Sequence, residues 1–245
     1  MPAMHVHDDQ PMRTRFSDFL PTVNWKGSFG ELFLIVLGVL LALAVNNWNT
    51  DRQNRKTEFA LLRQLHQSLT VDLAHLNEAQ AGYRSRKQRI EALRDHLRGG
   101  GPYTDALRSD FGVVLGIWPI QLNRSPYEVV KGKGLESISN DSLRLRLVRV
   151  YDQVYSDYRD AQQDDRNVVF EIVRPYYLKA FHSIRFRETA TPISYDGIVR
   201  DPYFRNVLDY RLRSLEANSI DPAQTAIDEV SGLLRELGEE IGHRQ

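Results

Sequence analysis

The longest apolar stretch of the chain lies close to its N-terminus. Residues 32–45 are apolar without interruption. Trp25 and Trp48 flank this stretch, and a helix between them would be roughly 34 Å long, close to the spacing of the aromatic belts at the two surfaces of a bilayer. The pattern therefore predicts a transmembrane helix over residues 29–48.

Two alternatives to a membrane span remain open. Fourteen apolar residues also suit the core helix of a soluble domain. A cleavable signal peptide is the other alternative, because Ala42-Leu43-Ala44 imitates a cleavage site. Residues 1–28 are long for the segment that precedes the apolar run of a signal peptide, and this length favours the span.

Small and polar residues of the predicted span are candidates for contacts in the membrane. Gly38 and Ala42 form a small-xxx-small pair that lets two helices approach closely. Glu31 lies at the N-terminal end, where its carboxylate suits the helix dipole or reaches a partner. Asn46 and Asn47 lie at the other end, at the interface or hydrogen-bonded across an oligomer. The complete predicted anchor set is Trp25, Glu31, Gly38, Ala42, Asn46, Asn47 and Trp48.

The helical pattern continues beyond the span. No proline interrupts residues 29–101, and from Phe59 to Leu97 a stripe recurs in alternating steps of three and four residues, which is typical of a coiled coil. We therefore predict one continuous helix from the span to Arg98, ended by Gly-Gly-Gly-Pro at residues 99–102. The positions of the stripe are Phe59, Leu62, His66, Leu69, Leu73, Leu76, Gln80, Tyr83, Lys87, Ile90, Arg94 and Leu97.

Later helices carry their own start and stop signals. Ser-Pro-Tyr-Glu at residues 125–128 is a capping box, and Asn140 is the predicted cap of a long helix that Pro175 should kink or end. Asp201-Pro202 and Asp221-Pro222 each join a capping residue to a proline, which predicts two further helix starts.

Two segments differ from the long helices. A short helix is predicted from Leu107 to Trp118, stopped by the proline that follows. Residues 183–197 are irregular, and Ile184 and Phe186 alternate with polar residues as in a short strand.

The predicted fold class is all-α, with a single N-terminal transmembrane helix that continues into a bundle of long helices. The predicted organisation is an N-terminal tail and juxtamembrane segment at residues 1–28, a transmembrane helix at residues 29–48, and a helical bundle domain at residues 49–245.

Composition excludes several classes of protein. Lys and Arg number 32, as do Asp and Glu, so the net charge is zero and a nucleic-acid partner is not expected. The chain has no cysteine, which rules out disulfides and cysteine-based catalysis. No zinc-protease, phosphate-loop or serine-hydrolase motif occurs. We therefore expect a protein that is not an enzyme and has no catalytic residues, metal or cofactor.

Two acidic and histidine-bearing groups are candidate metal ligands. The His-x-His-Asp-Asp sequence at residues 5–9 has suitable side chains, but a tail would have to be ordered on binding, so a solvated tail is favoured. Asp72, His75 and Glu78 share one helix face. Di-metal bundles need a Glu-x-x-His sequence on each of two helices, and the sequence contains one, at residues 240–243, so this group predicts an exposed polar face.

Tyrosines recur at helical spacing in the second half of the chain. Tyr151, Tyr155 and Tyr158 lie on one predicted helix, and Tyr176 and Tyr177 follow. These rings are the candidate ligand or partner surface. The alternative is that they belong to the core, with their hydroxyl groups at its edge.

The anchor region carries a recognisable pattern. The apolar run begins with Gly-Glu at residues 30–31 and ends with Asn-Asn-Trp-Asn at residues 46–49, before a charged helix start at residues 51–56. Tyr-Glu at residues 127–128 later precedes an Ile-Ser-Asn cap at residues 138–140. These features resemble a bacterial family of single-pass membrane proteins that is known only as a domain of unknown function.

The resemblance implies an inner-membrane anchor and a helical domain in the periplasm, and it implies no activity. Basic residues flank the span in nearly equal numbers, so charge alone leaves the orientation open. The leading hypothesis is a scaffold or interaction protein whose partners are the bilayer, further copies of the chain or other membrane proteins. The alternative is an extracytoplasmic ligand-sensing bundle that signals through a partner, and an enzyme with a site built from scattered residues is a third hypothesis.

Overall fold

The structure is a computed structural model that describes residues 25–244, with side chains from residue 30 onward. By its internal contacts the chain divides into two units, Met1–Gln53 and Asn54–Gln245. The helices in chain order are α1 (Trp25–Arg98), α2 (Leu107–Val114), α3 (Ser125–Lys133), α4 (Asp141–Val148), α5 (Tyr155–Val168), α6 (Arg174–Ala180), α7 (Tyr195–Arg200), α8 (Pro202–Leu215) and α9 (Asp221–His243).

Helix α1 has the predicted extent at its C-terminal end. It stops at Arg98, where Gly100 adopts a positive φ of 66°, a backbone conformation that glycine tolerates without strain. The Gly101 N–H then donates to the carbonyl oxygen of His96 at 3.1 Å. This left-handed glycine satisfies a carbonyl at the end of the helix, as helix-terminating glycines commonly do.

Three π-helical turns join the later helices into longer segments: Arg149–Val154, Val169–Val173 and Glu216–Ile220. The second and third of these turns lie just before Pro175 and Pro222. The Arg174 N–H bonds to the Val169 carbonyl, and the Asp221 N–H bonds to the Glu216 carbonyl.

The two prolines therefore lie within continuous helical segments. Helix α9 begins at Asp221, as predicted, but it follows the π turn without a break, and its N-cap position is Ile220 and not the predicted Asp221. Pro175 does not end the helix, which continues to Ala180. A π turn widens the helix next to the residue that cannot donate a hydrogen bond.

Capping hydrogen bonds are present at two of the predicted helix starts and absent at a third. The side chain of Asn140 accepts a hydrogen bond from the Leu143 N–H at 3.1 Å, and Asp201 accepts one from the Tyr203 N–H at 2.8 Å. Both caps were predicted. The capping box at residues 125–128 was wrong, because Ser125 is already the first residue of α3. The Ser125 N–H instead donates a hydrogen bond to the side chain of Asn123.

A β-hairpin, β1 (Phe181–Arg185) and β2 (Thr189–Pro192), interrupts the helices. The strands are antiparallel, with Phe181 opposite Pro192. This confirms a strand where the alternating pattern predicted one. The described chain is mainly helical, as predicted, and this hairpin is its departure from an all-α fold. Helix α2 lies against the hairpin so closely that a Cβ atom on Gly112 would come within 2.5 Å of the backbone at Glu188.

Buried apolar side chains form two clusters in the second unit. The first joins the part of α1 from Leu61 to Tyr83 with α3, α4, α5 and α9. The second joins the part of α1 from Ile90 to Leu97 with α2, α6, α8 and the hairpin. Arg86 lies on α1 between these two stretches, so the boundary between the clusters is polar.

The buried stripe of α1 differs from the predicted one at every second position. Seven of the twelve predicted positions are buried, Gln80 among them. At every second predicted position the preceding residue is buried, and at five of these six the predicted residue itself is not. Three of those earlier positions are charged, and they are spaced 14 residues apart: Glu58, Asp72 and Arg86. The twelve positions of the observed stripe are Glu58, Leu62, Leu65, Leu69, Asp72, Leu76, Ala79, Tyr83, Arg86, Ile90, Leu93 and Leu97, and Leu61, Ser68 and Gln80 are buried beside it.

Candidate functional site

The apolar run of α1 is exposed along its whole length. Its large side chains from Leu32 to Val45 have 40–66% of their surface accessible. The helix is long and apolar enough to cross a membrane, and none of its most apolar window, of mean hydropathy 1.9, is buried inside the protein. This part of α1 is therefore exposed within the described residues, and by length and composition it is a candidate membrane span.

The predicted anchor residues are open to contact. Glu31, Ala42, Asn46 and Asn47 are all exposed, and a Cβ atom added to Gly38 would meet nothing within 4 Å. Trp48 is exposed as well, with the guanidinium of Arg52 lying 5.9 Å from the centre of its ring. The side chain of Trp25 lies outside the described residues.

The five predicted tyrosines do not form one surface. Tyr151, Tyr155 and Tyr158 are buried in the first apolar cluster. Tyr177 is buried in the second cluster, and Tyr176 packs against it half-buried. Four of the five rings therefore lie in the core and one lies at its edge, and they belong to two different apolar clusters.

Asp72 is a buried carboxylate at the centre of the first cluster. It accepts hydrogen bonds from the Asn123 N–H at 3.0 Å and from the Tyr155 hydroxyl at 2.9 Å. Burial raises the pKa of Asp72, and these two hydrogen bonds oppose the rise. The predicted exposed polar face was therefore wrong for Asp72, although His75 and Glu78 are exposed.

Glu58, near the start of the second unit, forms an ion pair with Arg244, near its end. Its carboxylate accepts from the Ser139 N–H at 2.7 Å and from Arg244 at 2.6 Å. Burial alone would raise the pKa of Glu58, but the hydrogen bonds from Arg244 and Ser139 lower it overall. The contact holds the C-terminal end of α9 against α1.

A buried polar cluster surrounds Arg211 on α8, a residue with no exposed surface. Its guanidinium forms an ion pair with Asp165 on α5, and it donates to the carbonyl oxygens of Val114 at 3.3 Å and Gly116 at 2.8 Å. Ser214 donates a further hydrogen bond to Asp165 at 3.0 Å. Buried ions persist in proteins when they are paired and hydrogen-bonded in this way.

Arg86 lies beside this pair without a carboxylate of its own. It is only 8% exposed, and its Nη1 atom has no hydrogen-bond partner within residues 25–244. Burial and repulsion from Arg211 lower the pKa of Arg86 to about 10, while Asp165 opposes this. The guanidinium lies 5.9 Å from the centre of the Tyr83 ring, a weak compensation for a buried charge.

Sequence reasoning missed Arg86, Asp165 and Arg211. The acidic and basic residues around Asp165 resemble a solvated helix face, and most of them are exposed. A sequence signal was available for Arg86. Together with Glu58 and Asp72 it lies on the buried stripe of α1, whose positions recur in alternating steps of three and four residues. Within the described residues no group of three acidic or histidine side chains could hold a metal ion, and the predicted candidate at residues 5–9 lies outside them.

In comparisons with known proteins, part of the chain is similar to an uncharacterised family. The model of a family of unknown function (DUF6090) matches residues 31–106. These residues include the apolar run and the rest of α1, so this region is similar to a family without an assigned role. The chain matches no curated protein and no solved structure.

Proposed function

We propose that the protein is a membrane-anchored helical scaffold that is not an enzyme. Residues 29–48 cross the bacterial inner membrane, and the helical bundle behind them binds other proteins in a membrane complex or a homo-oligomer. The exposed apolar run from Leu32 to Val45 carries the proposal. Soluble monomers rarely leave a contiguous apolar surface of this size in water, and such surfaces mark contacts with membranes or proteins.

Self-association within the membrane is supported by Gly38 and Ala42. They lie four residues apart on one face of α1, and the face is open at Gly38. Small residues allow two helices to approach closely in lipid, where packing and not burial from water drives association. A second copy of the chain is the partner that these residues suit.

A second surface supports protein binding by the helical unit. The guanidinium of Arg174 lies 5.3 Å from the ring centre of Phe170 and 5.7 Å from that of Phe186. Phe186 is 62% exposed at the turn of the hairpin. Exposed aromatic side chains next to arginine are enriched at protein interfaces.

Disulfide crosslinking tests self-association, because the chain contains no cysteine of its own. Gly38→Cys and Ala42→Cys should each give a crosslinked dimer when the membranes are oxidised. Leu40→Cys is the matched control, because it lies roughly 160–200° around the helix from both positions and should stay monomeric. Equal crosslinking at all three positions, or at none, would contradict association through this face.

Sidedness decides which partners are accessible to the scaffold. We propose that the bundle is periplasmic, as the resemblance implies. A C-terminal fusion to alkaline phosphatase, which folds to an active form only in the periplasm, should then be active. The matching fusion to a fluorescent protein that matures only in the cytoplasm should be dark, and the reverse pattern would place the partners in the cytoplasm.

Ligand sensing by the helical unit is the second candidate function. The buried tyrosines offer no accessible surface for a ligand, but Arg86 lies at a cleft and has an unsatisfied donor. A sensor of this kind would transmit its signal through the partners of the scaffold.

A further inference from the structure

A cleft of about 300 Å³ opens beside Arg86. Helix α1 lines it with Glu78, Ser85, Arg86 and Arg89, and Arg187 lines it from the hairpin turn. Gly116 and Trp118, which follow α2, also line it. This volume is at the lower end of the range for small-molecule sites, so the cleft suits a compact ligand.

The charges that line the cleft do not balance. Arg89 is neutralised by Asp110, at 2.7 Å. The carboxylate of Asp165 attracts Arg86 electrostatically, but it is already paired with Arg211. Glu78 is the acidic residue of the lining, and it is exposed, where water weakens its interactions.

Arg187 adds a further positive charge at the cleft. It forms no ion pair within residues 25–244, and its guanidinium lies 5.6 Å from the centre of the Trp118 ring. Arg187 also repels Arg86 electrostatically. Two guanidinium groups therefore face one small cleft without a carboxylate partner, and one of them is buried and has an unused donor.

We propose that this cleft binds a phosphate group through Arg86 and Arg187. Guanidinium groups recognise phosphate with paired, charge-assisted hydrogen bonds. A phosphate monoester carries about −1.5 to −2 charges at neutral pH, which matches two unpaired arginines better than a single carboxylate does. The bound group would give the Arg86 guanidinium a counter-charge and link α1 to the hairpin.

The test is calorimetric titration of the full chain in a neutral detergent, with chloride adjusted to hold the ionic strength constant. One arm uses inorganic phosphate, and the other uses mixed micelles that contain phosphatidylglycerol. Binding of inorganic phosphate identifies a soluble phosphate as the source. Binding of the micelles alone, if it depends on Arg86, identifies a lipid headgroup.

Three variants make the test specific to the cleft. Arg86→Gln and Arg187→Asn should each weaken binding by about tenfold or more, the effect expected for the loss of a charge-assisted hydrogen bond. Arg159→Gln is the matched control, because that side chain is 67% exposed and does not line this cleft, so its affinity should be unchanged. Arg187 lies in a turn at a φ of 68°, which asparagine tolerates, so this variant remains informative if Arg86→Gln does not fold.

Absence of saturable binding in both arms would overturn the proposal. Equal binding by the unmodified chain and all three variants would overturn it as well. Neither outcome affects the crosslinking through Gly38 and Ala42, so failure of this inference is separate from failure of the scaffold proposal.

Discussion

Replacement of Asp165 by asparagine should destabilise the helical unit by about 3–5 kcal/mol, the cost of removing one partner of a buried ion pair. Asp165 accepts hydrogen bonds from Arg211 and Ser214, and Arg211 is completely buried. Asparagine has nearly the same shape, so the change leaves no cavity. It removes the carboxylate that pairs with Arg211 and attracts Arg86.

The expected loss is large compared with the stability of a domain. Domains typically unfold with a free energy of about 5–15 kcal/mol. For a unit of this size the unfolding temperature falls roughly 2–4 °C for each kcal/mol, so the Asp165→Asn variant should melt about 6–20 °C lower.

Urea unfolding of the full chain in detergent, followed by far-UV circular dichroism, measures this effect. Asp164→Asn is the matched control, because Asp164 is the adjacent residue of α5 and is exposed. Its free energy of unfolding should stay within about 0.5 kcal/mol of the unmodified chain. If the Asp165 and Asp164 variants unfold at the same urea concentration, the assignment of Asp165 as the essential counter-charge is refuted.

Three further predictions concern α1, α2 and α3. Gly112→Ala should destabilise the protein by about 1–3 kcal/mol, because its Cβ atom would overlap the hairpin backbone. Gly132→Ala, on the open face of α3, should instead stabilise the protein by about 0.5–1 kcal/mol. Thermal unfolding of the two variants tests the difference. The pKa of Glu58 is below its usual value of 4.5, so its stabilising contribution is present above that pH and is lost as the pH falls through the lowered pKa. Glu58→Gln should therefore make urea unfolding less sensitive to acid, and an unchanged acid sensitivity would contradict this role. Burial raises the pKa of Asp72 above its usual value of 3.8, so its contribution is complete below that pH and is lost as the pH rises through the raised pKa. Asp72→Asn should remove that dependence while keeping the hydrogen-bond acceptor, and Asp72→Ala should cost about 1–3 kcal/mol more by leaving the Tyr155 hydroxyl without its partner.

The sequence predicted the extent of α1 better than its buried face. The helix and its glycine terminus depend on local signals, the lack of proline and the glycine at position 100, which one sequence displays directly. The buried face depends on partners elsewhere in the chain. Glu58 and Asp72 are buried because Ser139 and Tyr155 contact them, and a count of apolar positions cannot register such contacts.

Proline signals were ambiguous for a similar reason. Asp201-Pro202 begins α8, but Asp221-Pro222 lies inside a continuous helical segment. The two dipeptides are locally alike. What distinguishes them is the π turn Glu216–Ile220, which accommodates the second proline and has no clear sequence signature.

The buried ion pair could not be found from one sequence. Asp164 and Asp165 are adjacent and chemically identical, yet only Asp165 is buried. Its partner Arg211 is 46 residues away, on a different helix. Which of the two carboxylates faces α8 is decided by the rotation of α5 in the packed structure, and the mixed charges of α5 conceal that rotation.

Alkaline carbonate extraction of membranes tests the central claim, that residues 29–48 anchor the protein in the bilayer. The account predicts that the full-length chain stays in the membrane pellet. Leu37→Arg should shift it towards the soluble fraction, because arginine at the centre of a span costs about 2.5–3.5 kcal/mol in insertion. Leu145→Arg, at an exposed position of α4, should leave it in the pellet. A soluble full-length chain, or a shortened chain cleaved after Ala44, would contradict the anchor.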